Sequence, residues 1–156
     1  MHACFQICGL EHCPAFWRDR RFHGLLLAGG IFWLGLWWWV PGRPITLAQL
    51  WSSVFLVLVV WQPVLEEVLF RGYMQGQCLQ QLWGQRRWAG VTVANGCTAL
   101  CFTAGHFWAH PPLWAAAVLV PALAFGYCRD RYASVYPCIV LHVVYNAGYF
   151  CVTGLS

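Results

Sequence analysis

Apolar residues occur along this chain in long runs, separated by prolines and short polar turns. Residues 24–40 form the first run, which follows the basic cluster Arg18, Arg20 and Arg21 and closes on Trp37, Trp38 and Trp39 ahead of Pro41. A second run starts after Pro44, with Thr46 placed as a helix N-cap, and continues to Trp61 before Gln62 and Pro63 interrupt it. Pro63 is expected to kink or divide the helix, because proline lacks the N–H and its ring crowds the preceding turn. The third run, residues 64–83, ends at a polar turn over 84–87, and residues 89–108 make the next. Pro111 and Pro112 break that run; residues 113–128 and 133–154 follow, separated by the turn Arg129, Asp130 and Arg131.

A spanning helix needs about 20 apolar residues, so the pattern predicts an all-α, polytopic transmembrane helix bundle with five or six spans. The count turns on Pro63, since residues 47–83 as one helix would reach about 55 Å, more than a bilayer is thick. Residues 1–23 read as a short N-terminal segment and 24–156 as a single transmembrane domain. The first run has the charged start of a secretory signal, but it is long and lacks a small-x-small cleavage site, so it is expected to stay in the membrane.

Composition strengthens the membrane reading. Of 156 residues, 60% are hydrophobic and only 9% charged, against about a quarter charged in a soluble domain. Eleven tryptophans suit aromatic belts at the bilayer interface. The net charge of +4 comes entirely from arginines in small groups between apolar runs, which reads as topology and not as a nucleic-acid surface. A five-span arrangement with the N-terminus inside puts Arg18, Arg20, Arg21, Arg86, Arg87, Arg129 and Arg131 on the cytoplasmic side and Arg43 outside. Six spans would change the sidedness. Most of the nine cysteines lie in or beside apolar segments and read as buried free thiols.

Charged groups inside apolar helices cost about 2.5–3.5 kcal/mol each at the bilayer centre, so Glu66, Glu67 and Arg71 demand partners or a purpose. Glu67 and Arg71 are spaced i to i+4 and share a face; Glu66 lies about 100° away around the helix. Two more polar clusters interrupt apolar runs: Phe102 with His106, and His142 with Asn146 one helical turn apart. The latter pair could donate hydrogen bonds to a single oxygen. If the third and fourth runs form an antiparallel hairpin about Arg86, Glu66 and His106 are equidistant from the turn and reach the same depth, roughly 30 Å at 1.5 Å per residue. A carboxylate facing an imidazole in a dry setting is suited to act as a general base on water.

Plainer readings stand beside these. Glu66 could join an ion pair, His106 could bond between helices, and His142 with Asn146 could be interhelical glue. His106 and His110 make an H-x-x-x-H pair that could hold zinc with a glutamate, although Pro111 disfavours helical geometry at His110. His2, Cys4, Cys8, His12 and Cys13 could also hold zinc, without the paired spacing usual for such sites. Gly72, Gly76, Gly105 and Gly126 are expected to permit close helix approach, and Asp130 to neutralise its flanking arginines.

At these residues the chain resembles the CPBP family of glutamic intramembrane proteases, which includes type II CAAX prenyl protease-like and Abi proteins. The family's E-E-x-x-x-R is present as Glu66, Glu67 and Arg71, its F-x-x-x-H as Phe102 and His106, and its H-x-x-x-N as His142 and Asn146. The resemblance implies an endopeptidase without metal or organic cofactor. In it Glu66, assisted by His106, activates water and His142 with Asn146 stabilises the oxyanion, while Glu67, Arg71 and Phe102 support the site. All four catalytic side chains are then expected to converge on one water-accessible pocket. The short chain looks like a small bacterial form, similar to proteases that process C-terminal sorting tails. That implies a membrane-anchored protein substrate, residence in the bacterial cytoplasmic membrane and no nucleic-acid partner. The competing class is a non-proteolytic membrane scaffold or bacteriocin-immunity protein, in which one of the motif positions would more often be lost.

Overall fold

The computed structural model describes residues 6–11, 13–39 and 45–155. It is helical apart from one two-stranded hairpin: α1 Arg20–Trp39, α2 Leu47–Leu50, α3 Ser53–Leu79, α4 Leu82–Gln85, β1 Arg87–Trp88, β2 Val91–Thr92, α5 Val93–His106, α6 Pro112–Tyr132 and α7 Tyr136–Thr153. Among the described residues three helices, α1, α3 and α6, are long and apolar enough to cross a membrane. That is fewer than the five or six expected, for local reasons. The run beginning after Pro44 breaks after one turn: Thr46 caps α2 in a capping box with Gln49, and Ser52 then caps α3 through the Phe55 N–H. The 89–108 run gives up its start to the hairpin, whose turn residues Ala89 and Gly90 both have positive φ, as a tight two-residue β-turn requires. That leaves α5 with 14 residues, about 21 Å.

Pro63 does not divide its helix. α3 runs continuously for 27 residues, with π-helical turns at Val57–Trp61 and Val68–Met74. Gln62 donates five residues back, to the Val57 carbonyl. This wider turn removes the clash between the proline ring and the carbonyl four residues earlier, so the helix passes the proline without breaking.

The chain forms two compact units, one of residues 1–14 and 66–138, the other of residues 15–65 and 139–156. In the first, α5 packs on α6 around Ala99, Phe102 and Ala122. Thr92 caps α5 through the Asn95 N–H, and its hydroxyl donates to Asp130 at 2.7 Å. Asp130 also accepts from Gln75 at 2.8 Å, so it ties α3 and α5 to α6 instead of only neutralising adjacent arginines. Residues 6–11 lie against the same unit: Val135 N–H donates to the Gly9 carbonyl, and the Ser134 hydroxyl to that of Glu11. His2, Cys4 and His12 lie outside the described residues.

In the second unit α1 packs on α7. The Tyr145 hydroxyl donates to the Leu25 carbonyl at 2.8 Å, and Trp33 meets the Tyr145 ring edge-on at 5.8 Å. In both units many large apolar side chains are left open. Trp38, Trp39, Trp51, Trp88 and Trp108 are all exposed, as suits a lipid interface.

Of the glycines expected at close approaches, Gly105 has open space where a Cβ would stand, whereas Gly126 abuts the Asn95 carboxamide. Asn95 is itself held there by its bond to the Leu123 carbonyl at 3.1 Å. Gly126→Ala should therefore destabilise the protein by about 1–3 kcal/mol through overpacking. Thermal unfolding in micelles measures this, and an unchanged midpoint would contradict the packing described.

Candidate active site

Burying a guanidinium in an apolar bundle requires partners for its donors, and around Arg71 the fold supplies them at both terminal nitrogens, Nε being left without one. Arg71 and Glu67 are fully buried and paired at 2.9 Å, one turn apart on α3. A second Arg71 nitrogen donates to the Ala122 carbonyl of α6 at 3.1 Å. The guanidinium also lies over the Phe102 ring, 4.4 Å from its centroid, with Phe125 at 5.2 Å. The Arg71 carbonyl accepts from Arg129 Nε at 3.0 Å, and Arg129 continues to the Ile7 carbonyl at 2.7 Å. One turn along α3, Gln75 donates to the Gly126 carbonyl at 3.0 Å.

Arg129 was expected in a polar turn, but it lies inside α6 and is only 4% exposed. Ala122, Phe125, Gly126 and Arg129 follow one another at helical spacing and form a stripe turned toward α3. This periodicity was present in the sequence, hidden by the apparent break at a charged triplet.

Phe102 joins this core to the second motif. Its ring meets Phe70 edge-on at 5.1 Å. Asp130 holds both Gln75, toward the end of α3, and Thr92, at the start of α5, so the two helices run antiparallel from that point to the Phe70–Phe102 contact. Phe70 and Phe102, which touch, lie at equal counts from Arg86 along the sequence. Glu66 and His106 stand at the next equal count, four residues further from Arg86 on each side. Glu66 is half-buried, on the turn between the two π-helical segments of α3.

His106 is held on several sides. Its Nδ1 is 2.9 Å from the Phe102 carbonyl, its ring lies 4.7 Å from that of Phe102, and His110 stacks on it at 5.7 Å and 20°. His110 therefore shares its face despite Pro111, because the chain continues one further turn, with His110 N–H donating to the His106 carbonyl. A carbonyl only accepts, so Nδ1 carries a proton, and in the neutral imidazole the lone pair is then on Nε2. That tautomer is the one able to take a proton from water. Among the described residues no three His, Cys, Asp or Glu side chains cluster as metal ligands would.

The third motif belongs to the other unit. His142 is buried on α7, and Asn146, one turn on, donates from Nδ2 to the Leu58 carbonyl at 3.0 Å. In the same unit a groove of about 420 Å³ is lined by Leu27, Gly30, Ile31, Trp33, Leu34, Trp37 and Val152. None of the candidate residues lines it.

Removing one partner of the buried ion pair should cost far more than removing both. Arg71→Met is expected to lose about 3–5 kcal/mol, and Glu67→Leu combined with Arg71→Met to recover a large part of that. Unfolding of the two variants in micelles compares them; equal losses would show that the charge pair is not what holds this region.

A family model described as type II CAAX prenyl endopeptidase, Rce1-like, matches residues 48–148. No curated protein and no solved structure matches the chain.

Proposed function

Because the chain belongs to the Rce1-like family of type II CAAX prenyl endopeptidases, a family of membrane proteases, we propose that it is a glutamic intramembrane endopeptidase working without metal. Glu66 is the general base, assisted by His106. A water proton passes to this pair as the water oxygen bonds to the scissile carbonyl carbon; His142 and Asn146 donate to the resulting oxyanion. Collapse breaks the C–N bond, and the proton returns to the leaving amine. Glu67, Arg71 and Phe102 position the base.

The observation that supports this reading is the Phe70–Phe102 contact: continued one turn along each helix, the same register would bring Glu66 toward His106, whose Nδ1 faces the Phe102 carbonyl. The exposed apolar surface and three span-length helices agree with hydrolysis at or within a bilayer. The substrate is a membrane-anchored protein cut near its C-terminus. The setting proposed is a bacterial cytoplasmic membrane.

Cleavage of tail-anchored reporters in membranes tests the proposal. Glu66→Gln should lower the rate by roughly 10²–10⁴-fold, and a zinc chelator should leave the native rate unchanged. Chelator-sensitive cleavage would transfer the chemistry to a metal held by His106 and His110. Unaltered cleavage by Glu66→Gln would remove Glu66 from the mechanism. No cleavage of a broad reporter panel by the native chain would favour a scaffold or immunity role.

A further inference from the structure

The π-helical turn before Pro63 creates a specific vacancy in the hydrogen-bond ladder of α3. With Gln62 bonded five residues back to Val57, the next donor in register, at position 63, would serve the Leu58 carbonyl. Position 63 is proline and has no N–H, so the Leu58 carbonyl is orphaned within its own helix. The side chain that satisfies it comes from α7: Asn146 Nδ2 stands 3.0 Å from the Leu58 oxygen.

We propose that Pro63 is a positioning residue for Asn146, acting through the carbonyl it leaves open on Leu58. A carboxamide has two donors and one acceptor, and only its NH₂ end can face a carbonyl. The bond to Leu58 therefore fixes which way the Asn146 amide is turned. It engages one N–H and aims the second in a set direction, as an oxyanion donor must be aimed before charge develops. With an N–H at position 63, the ladder would satisfy Leu58 internally and the Asn146 amide would be free to rotate or flip. This inference rests on the oxyanion role proposed above for Asn146.

Pro63→Ala tests it, and folding should not confound the test, because alanine restores the missing donor and is the better helix former. Reporter cleavage by Pro63→Ala should show kcat lowered about tenfold or more, with KM within about twofold of native. On an Asn146→Ala background the same change should have no further effect, the two variants agreeing within about twofold. Full kcat in Pro63→Ala, or losses that multiply in the double variant, would overturn the proposal.

A second readout needs no activity. The chain has two asparagines, Asn95 and Asn146. In the full-length protein labelled with [¹⁵N]asparagine in micelles, the side-chain signal lost in Asn146→Ala should contain one exchange-protected N–H. That protection should disappear in Pro63→Ala, and if it persists Pro63 does not position Asn146. Should native chain and variants alike cleave nothing, the catalytic reading fails, and the exchange result alone decides whether Pro63 orients this amide.

Discussion

The unit that carries Glu66 and His106 is organised around a charge that apolar surroundings cannot tolerate unpaired. Arg71 is buried, and its terminal nitrogens donate to Glu67 on its own helix and to the Ala122 carbonyl on α6, with the Phe102 ring beneath. Those partners belong to α3, α5 and α6, so satisfying one guanidinium brings three helices together. A leucine at this position could pack against the same helices but would not specify their register. Carbonyl and carboxylate partners accept only along limited directions, whereas apolar contact tolerates sliding. Phe102, held between Arg71 and Phe70, fixes α5 against α3 at this level.

The π-helical turns of α3 answer a related constraint. In a bilayer, backbone groups find no water, so a proline within a span leaves an orphan that the protein must satisfy. Here the helix widens instead of breaking, and a side chain far away in sequence supplies the missing donor. A helix interruption that would be a defect in isolation thereby gives a polar group on α7 a defined partner.

Much of this was legible in the residues alone. The apolar runs located the principal helices, Thr46 marked a helix start, and the i to i+4 spacing of Glu67 and Arg71 described a pair that exists. The equal count about Arg86 agrees with the contact of Phe70 with Phe102, although the turn itself is a hairpin and a short helix instead of a plain loop. What could not be read depended on partners distant along the chain. The donor for the Leu58 carbonyl that Pro63 cannot serve comes from Asn146; the burial of Arg129 goes with its bonds to the carbonyls of Arg71 and Ile7. Neither residue's local sequence contains its partner. The motifs carry the proposed chemistry, and long-range hydrogen bonds determine how the backbone accommodates them.

The central claim is that Glu66 makes water the nucleophile and does not itself attack the peptide. A single turnover in H₂¹⁸O, with enzyme in excess over a membrane-anchored reporter, distinguishes the two. Direct attack by water predicts that the new C-terminal carboxylate carries one solvent oxygen in the first turnover and that the Glu66 carboxylate gains none. A first-turnover product carrying enzyme-derived ¹⁶O, with label appearing on Glu66, would mean an acyl-enzyme anhydride and contradict the account.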